Sequence, residues 1–446
     1  MKQDTSPTSM RTFFILWCGQ MVSTIGSYMT AFTLTIWAWE LTGQATALAL
    51  VAFFTQVPRV LVSPLAGVIV DRYNRKLLMM VGDGVAAFSS LAILLLFLAG
   101  HLQIWHLYVA GVLEGTFGQI QELAATASIT MLVPKQHYTR ATGMISTLHY
   151  GSNIIAPALA SVLYSIIGLS GILSIDIITF AVAVSTVLFV DIPQPHVEDT
   201  QNQPQSPKFN CKELIFGFKY IFSRPSLLAL LIVAALFQFA HDLGAALYSP
   251  MILARSGNNT QVLGSVAAAA GVGGVVGAIF VSTWGAPKHK IHGLLLGMIG
   301  AGLSKIVFGL NRMPLIWIVA QFCSSLNFPL MGSCRDAIWL SKVNLNLQGR
   351  VFATRATIML VTSAIAPLIA GFLADRVLEP AMMPGGNLAN IFGSIFGTGH
   401  GAGIALLYVL TSICLLLVGL GGYTFKNLRE VENNLPDYDN PLKTGH

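Results

Sequence analysis

Long apolar runs alternate with short polar segments along the chain. Each run approaches or exceeds the roughly 20 residues that an α-helix needs to cross the hydrocarbon core of a bilayer. The predicted helices span residues 13–38, 46–70, 77–100, 104–132, 143–168, 170–190, 226–253, 262–285, 291–311, 314–341, 352–376 and 402–424. The pattern therefore predicts an all-α membrane protein with twelve transmembrane helices in two six-helix halves.

One long polar stretch, residues 191–225, separates the two halves. Its segment IPQPHVEDTQNQPQSP has the Pro, Gln and Asn content of a flexible linker. The remaining segments are an N-terminal arm (1–12), two six-helix bundles (13–190 and 226–424) and a C-terminal tail (425–446). Residues 212–222 mix apolar and charged side chains, so they form either a short amphipathic helix at the membrane interface or an ordinary loop.

The basic residues predict the orientation, because loops rich in Lys and Arg stay in the cytoplasm. If the N-terminus is inside, the cytoplasmic segments contain 20 of the 25 Lys and Arg residues. Both termini and the 191–225 linker are then cytoplasmic, which requires an even number of crossings. That count depends on the short break between Gly168 and Gly171, which otherwise joins two helices into one bent helix.

Composition agrees with a membrane protein, since 54% of residues are hydrophobic and 10% are charged, against roughly 25% charged in soluble domains. The net charge of +6 comes from short basic clusters between apolar runs, so it indicates topology rather than nucleic-acid binding. The first apolar run is too long for a signal peptide and is predicted to remain as a helix. The five cysteines have no metal-ligand spacing, and we expect no metal, cofactor or disulfide framework.

The loop after the second predicted helix reads GVIVDRYNRK. It resembles the GxxxDRxxRK signature of the major facilitator superfamily, and the matching residues are Gly67, Asp71, Arg72, Arg75 and Lys76. In that family the aspartate and the basic residues lock the cytoplasmic ends of helices while the carrier faces outward. The alternative is that these basic residues serve only as a topology anchor.

Two segments, QGRVF (348–352) and ELIFGFKYIFSR (213–224), are similar to the macrolide-efflux branch of that superfamily and to its relatives encoded beside secondary-metabolite genes. The resemblance implies a secondary transporter that exports amphipathic small molecules. GSNIIAPALAS (151–161) resembles the antiporter pattern of the fifth helix, but Ala156, Ala160 and Ser161 replace glycines. The fourth helix also lacks the RxxQG pattern of many drug antiporters, which weakens the case for an arginine-based proton relay.

Three other motifs are interpreted structurally. GVGGVVG (271–277) lies inside an apolar helix and contains GxxxG, which favours helix packing over dinucleotide binding. GTGHGAG (397–403) is expected to form turns. GFLADR (371–376) ends the eleventh helix on the outer side, so Asp375 and Arg376 are not expected to repeat the cytoplasmic lock.

Charged residues at membrane depth usually face a cavity and mark function. In the fourth helix, Glu114 and Glu122 lie on one stripe of small and polar residues, and in the seventh helix Asp242 lies on a stripe with Gln238 and His241. We expect Glu114, Glu122 and Asp242 to include the group that couples transport to protons. The alternative is a permanent ion pair with a neighbouring cation.

Other polar residues of the helices are predicted to bind substrate or form ion pairs. Arg59 is expected to pair with a carboxylate such as Glu114 or to meet an anionic substrate, whereas Lys305 is expected to extend to the membrane surface. The remaining members of this group are Gln20, His149, Asn153, Gln238 and His241.

These patterns favour a monomeric, proton-driven exporter in the inner membrane, with the bilayer, protons and a small molecule as its partners. A proton-coupled importer has the same fold, and no single residue encodes direction. A non-transporting sensor or an intramembrane enzyme belongs to a different class, and the sequence contains neither HExxH nor GxSxG. We therefore expect that the protein is not an enzyme.

The topology can be tested by fusing a reporter that is active only in the periplasm after Pro204. No signal is expected, because the positively charged flanks keep the linker in the cytoplasm. A signal as strong as that of a fusion to the outer loop near Asn311 would contradict the predicted orientation.

Overall fold

A computed structural model describes residues 10–133, 138–190, 211–285, 287–344 and 347–435. Within these ranges the chain is helical and contains no strand. The long helices are α1 (Met10–Thr42), α2 (Ala45–Arg72), α3 (Arg75–Leu98), α4 (Ile104–Leu132), α5 (Tyr138–Phe189), α7 (Pro225–Ser256), α8 (Thr260–Trp284), α9 (Lys290–Leu310), α10 (Pro314–Lys342), α11 (Gln348–Leu373) and α14 (Ala402–Thr424). The shorter helices are α6 (Cys211–Phe222), α12 (Glu379–Met382), α13 (Ala389–Phe396), α15 (Lys426–Arg429) and α16 (Val431–Asn434), with a π-helical segment at Ala374–Leu378.

The helix α5 is two membrane-crossing arms joined at Gly168, whose backbone is not helical (φ 64°, ψ −170°). Glycine fits there because a positive φ carries no Cβ penalty. The predicted break between the fifth and sixth helices is therefore present.

Nine described segments are long and apolar enough to cross a membrane, and one of them, Gly151–Phe189, contains this break and counts as two. The helices α1 and α4, of 33 and 29 residues, are long enough to cross but carry polar side chains that lower their hydropathy. The nine segments, with the broken one counted twice, and the helices α1 and α4 together give the twelve predicted crossings.

The described residues group into two compact units. The first contains those of Met1–Thr42 and Leu50–Lys208, and the second contains those of Gly43–Ala49 and Phe209–His446. The short segment Gly43–Ala49 groups with the second unit because Asp375 accepts hydrogen bonds from the backbone N–H groups of Ala45 (3.0 Å) and Thr46 (2.7 Å). The aspartate of the GFLADR motif is thus the cap of a helix N-terminus, where a carboxylate is favoured.

Small residues bring the helices of the first unit into close contact. A side chain at Gly19 or Gly26 of α1 would collide with Thr186 or Thr179 of the second arm of α5. A side chain at Gly115 of α4 would likewise collide with the backbone carbonyl of Thr55 in α2. Close backbone approach lets polar groups of several helices meet within one bundle.

Small residues also allow close helix contact in the second unit, between α8 and α10. A side chain at Gly273 would collide with the carbonyl of Phe322, and one at Gly277 with that of Leu326. The predicted packing role of GVGGVVG is confirmed.

The GTGHGAG segment turns as expected, with positive φ at Gly397, Gly399 and Gly401. Glu379 then accepts a hydrogen bond from the backbone N–H of Gly401 (2.8 Å) at the start of α14.

Residues Cys211–Phe222 form the helix α6, so the loop alternative for this segment is wrong. Gly217 packs against Thr354 and the carbonyl of Arg350 in α11, and the Arg224 guanidinium lies 3.7 Å from the ring centroid of Tyr220. The short helices before and after α14 have no counterpart among the predicted elements, because segments of four to eight residues carry too little periodicity.

Replacing Gly277 by alanine should lower the thermal unfolding midpoint of the purified protein, since its Cβ meets backbone that cannot move aside. The expected cost is about 1–3 kcal/mol, the usual range for overpacking. Gly274 is the matched control, because no atom of a neighbouring residue lies within 4 Å of the position that a Cβ would take there. Gly274→Ala should leave the midpoint unchanged or raise it slightly, and an equal loss in both variants would contradict the packing account.

Candidate functional site

The first unit encloses a cavity of about 360 Å³, lined by residues of α1, α2, α3, α4 and the second arm of α5. Five of the lining side chains are carboxylic acids or guanidinium groups: Arg59, Asp83, Glu114, Glu122 and Asp176. The rest of the lining combines uncharged polar side chains, among them Gln20, Thr24 and Gln121, with apolar side chains, among them Leu34, Phe117 and Phe180. We call this space the first-unit cavity.

The most connected group in its wall is a ring of three side chains from three helices. The Asp83 carboxylate accepts hydrogen bonds from the amides of Gln20 and Gln121, each at 3.1 Å. The Gln121 amide also donates to the Gln20 carbonyl oxygen at 3.1 Å. Asp83 is 4% exposed, and it is held in the bundle because both of its oxygens accept a hydrogen bond.

Arg59 forms an ion pair with Glu122 across the cavity wall and donates from Nε to the Gln119 side chain at 2.8 Å. The expected pairing with a carboxylate is thus present, but the partner is Glu122 rather than Glu114. The reason is the close approach of α2 and α4 at Gly115, which places Arg59 beside the later turns of α4. Glu122 therefore forms an ion pair with a neighbouring cation, which is the stated alternative to a role in proton coupling.

Among the carboxylates that line the first-unit cavity, Glu114 and Asp176 have unused acceptors. In the described part of the chain, Glu114 has an exposed side chain with neither a hydrogen bond nor an ion pair. Asp176 is 1% exposed; its Oδ2 accepts a hydrogen bond from Ser90 (2.8 Å), and its Oδ1 makes no hydrogen bond of standard length and angle with the described residues. Both residues line the first-unit cavity.

The stripe predicted on α4 explains how these groups come together. Glu114, Gly115, Gly118, Gln121 and Glu122 all line the cavity. Steps of one, three and four residues keep them on one helix face. The glycines admit the neighbouring helices, while the polar side chains face away from lipid.

Two other predicted residues lie on α5. The Asn153 side chain hydrogen-bonds with Tyr28, which is itself a cavity residue. The backbone of His149 is helical, but its side chain lies outside the described part of the structure.

The second unit contains the other predicted carboxylate, Asp242, whose Oδ1 accepts a hydrogen bond from Gln238 at 2.8 Å. His241 packs its ring 4.9 Å from that of Phe328. The expectation that Lys305 extends to the membrane surface is wrong: it is 4% exposed, with its ammonium 5.8 Å from the ring centroid of Tyr408. Lys305 is buried because the face of α9 that carries it packs against α14 rather than facing lipid.

The loop between α2 and α3 anchors its basic residues to helix ends of the same unit. Arg75 donates to the carbonyl of Ala127 (2.7 Å) in α4, and Lys76 donates to the carbonyls of Leu188 and Val190, each at 2.9 Å. Cations are favoured beside such carbonyl-rich ends. Arg72 is exposed at the end of α2, Gly67 has open space around it, and the Asp71 side chain lies outside the described part.

Sequence reasoning missed Asp83 and Asp176 as cavity residues. Each is a lone acid inside an apolar run, which is the same signal that singled out Glu114 and Asp242. The described residues also contain an ion-pair cluster that was missed, in which Asp336 binds Arg355 (2.6 Å) and Arg335 (3.1 Å). No group of three or more His, Cys, Asp or Glu residues in the described ranges is arranged to hold a metal ion.

Comparison with known proteins identifies the family. The model of the Major Facilitator Superfamily matches residues 16–367. The chain belongs to this superfamily. It is thus a transporter by family rather than an enzyme, and a multi-pass membrane protein.

Relatives from the expected branch, that of macrolide efflux, are also found. The chain is 26% identical to Macrolide efflux protein A of Streptococcus pyogenes over 82% of its own length and 90% of the relative. It is 25% identical to the Enterobactin exporter EntS of Citrobacter koseri over 65% of its own length and 64% of the relative. Among solved structures, the nucleoside transporter NupG matches 92% of this chain and 99% of its own with a TM-score of 0.69 at 12% identity, a likeness of fold alone.

The ion pair between Arg59 and Glu122 can be tested by a double-mutant cycle. Arg59→Met and Glu122→Gln should show a coupling free energy of up to about 1 kcal/mol in thermal or denaturant unfolding, the range for half-exposed ion pairs. Glu114→Gln is the matched control, because Glu114 lies on the same helix and has no ion-pair partner among the described residues. Coupling between Arg59→Met and Glu114→Gln that equals the first value would contradict the assigned pairing.

Proposed function

We propose that this protein is a secondary active exporter of amphipathic small molecules that works by proton antiport and alternating access in the cytoplasmic membrane, as a monomer with both termini cytoplasmic. The observation that carries the proposal is the first-unit cavity, whose wall combines the carboxylate of Glu114, unpaired among the described residues, with uncharged polar side chains and with apolar ones such as Leu34, Phe117 and Phe180. A wall of this kind suits a ligand that has a large apolar surface and a few polar groups.

The substrate class is supported by the space beside the cavity. A second cavity of about 120 Å³ shares Gln20, Thr24, Gln121 and Glu122 with the first. The rest of its lining is mostly apolar and includes Phe13, Leu16, Trp17, Met79 and Leu148. The relatives named for efflux of macrolides and export of enterobactin support export as the direction.

Proton coupling is supported by the cost of charge at membrane depth. Removal from water favours the neutral form of a carboxylic acid, so such a group holds a proton until a cation, a substrate or water stabilises its ionised form. Glu114 in the first unit and Asp242 in the second lie within long apolar helices without a cation bound to them among the described residues, whereas Glu122 already has Arg59 as its counter-ion. A change in protonation can then bias which side of the carrier is open.

The loop of residues 67–76 has a separate role in this proposal. Arg75 and Lys76 hold the ends of α4 and α5 within the first unit. The aspartate of the motif, Asp71, is assigned the role of acceptor in a lock that forms and breaks during transport. Substrate binding and locking are thereby assigned to different parts of the same unit.

The proposal predicts that purified protein in liposomes concentrates a radiolabelled macrolide in the acidic compartment when a pH gradient is imposed. Antiport moves substrate against the proton flow, so reversal of the gradient should reverse the accumulation. Protein-free liposomes measure the passive trapping of a basic compound, which must be subtracted. Accumulation on the alkaline side would identify a symporter, and no gradient-driven movement would reject proton coupling.

Variants then locate the coupling group. Glu114→Gln, Glu122→Gln and Asp242→Asn are each compared with Glu40→Gln, whose carboxylate accepts a hydrogen bond from Tyr164 outside the cavity. A coupling residue should lose accumulation but retain downhill exchange, while Glu40→Gln should retain both. If all three variants still concentrate the macrolide, another group carries the coupling.

A further inference from the structure

The segment between α11 and α14 contains the helix α13 (Ala389–Phe396), which is too short to cross a membrane. Hydrogen bonds on both sides of this helix tie it to the residues of α12. The backbone N–H of Leu388 donates to the carbonyl of Ala381 at 3.0 Å, and that of Gly399 donates to the carbonyl of Met382 at 3.1 Å. The helix α13 is therefore a fixed part of the second unit.

The side chains of α13 divide into three faces, because successive residues of an α-helix are about 100° apart around its axis. One face, which includes the buried Phe396, packs against α12 and α14. The second face carries Ile391 and Ile395, which lie one turn apart and are 64% and 55% exposed. The third face carries the exposed polar residues Asn390 and Ser394. Three such faces fit a position where protein, hydrocarbon and water meet.

Arg255 fixes the level of α13 relative to the membrane-crossing helices. Its guanidinium donates to the carbonyls of Gly309 (3.1 Å) and Asn311 (3.3 Å) at the end of α9, and to that of Phe396 (2.7 Å) at the end of α13. Arg255 itself lies one residue before the end of α7. Because α7 and α9 are long and apolar enough to cross the membrane, α13 lies at the level where crossing helices leave the hydrocarbon.

Other exposed residues at this level are suited to a lipid surface. The guanidinium of Arg312, an exposed residue, lies against Gly397, the residue that follows α13. Met313 and Leu315, which follow Arg312 in the chain, are 61% and 69% exposed. Long basic side chains beside apolar ones are typical of the boundary between hydrocarbon and headgroups. The two isoleucines of α13 therefore belong to a wider apolar region at the end of the second unit.

We propose that α13 is an interfacial helix, which inserts Ile391 and Ile395 among the lipid headgroups and the first acyl carbons while Asn390 and Ser394 face water. An amphipathic helix of this kind buries its apolar face about 5–10 Å into the boundary between headgroups and acyl chains. The partner is the lipid surface. The inference goes beyond the proposed function, since it holds for either direction of transport and for any coupling ion.

Single nitroxide labels along α13 test the proposal. Ile391→Cys, Ile395→Cys, Asn390→Cys and Ser394→Cys are made in a full-length background whose five native cysteines are replaced by alanine. Each labelled protein is reconstituted in vesicles of equal parts phosphatidylglycerol and phosphatidylethanolamine. Collision of the label with oxygen, which concentrates in hydrocarbon, is compared with its collision with a nickel chelate, which stays in water. The labels at positions 391 and 395 should collide more with oxygen, and the matched labels at 390 and 394 more with the chelate.

Two results would overturn the proposal. More collision with the chelate at positions 391 and 395 would place that face in water. Little collision with either reagent would show that another part of the protein, or a second copy, covers it.

A second measurement needs no substitution and decides the question where the cysteine-free background fails to fold. The unmodified chain is reconstituted with a photoreactive phosphatidylglycerol, and the lipid adducts are mapped by mass spectrometry. Adducts are expected on Ile391 or Ile395, because both side chains are exposed at the level of the headgroups. The absence of any adduct between residues 389 and 396 would reject the interfacial position of α13.

Discussion

Carboxylates at membrane depth persist only where protein or enclosed water, rather than lipid, surrounds them, and the first unit of this protein is organised around that constraint. Four acids from three helices converge on one cavity, and each has different surroundings. Asp83 is satisfied by two amides, Glu122 by a guanidinium, Asp176 chiefly by the Ser90 hydroxyl, and Glu114 by no described residue. The gradation from fully satisfied to unpaired separates groups that hold the bundle together from groups that are available for a ligand or a proton.

The close approach of helices makes this arrangement possible. Gly115 allows α2 to contact α4, and Gly82 brings α3 against Gln121, so the side chains of Arg59 and Asp83 reach their partners across very short backbone separations. Larger residues at these positions would separate the helices and leave the same charges facing lipid. The small residues that allow the helices to pack closely are therefore also needed to keep these charges away from lipid.

The second unit meets the same constraint with a different set of groups. Asp242 has an amide partner in Gln238, and Lys305 is enclosed between helices with Tyr408 near its ammonium. A buried lysine on α9 shows that a helix expected at the periphery can direct a cation inward when its neighbours cover that face. Both units thus contain ionisable groups among their described residues, and the cavity of about 360 Å³ that collects four acids lies in the first.

The sequence by itself determined the membrane environment, the twelve crossings, the break at Gly168 and the polar stripe of α4. Each of these follows from local periodicity or from the length of apolar runs, which a bilayer constrains strongly. It also identified the family through the loop at residues 67–76. The tertiary structure alone decided which charges meet: Arg59 pairs with Glu122 and not Glu114, Asp83 and Asp176 join the cavity, and Lys305 turns inward. Arg59 and Glu122 lie 63 residues apart in the chain. Their meeting depends on how two helices rotate and approach one another, and periodicity within a single helix carries no information about that.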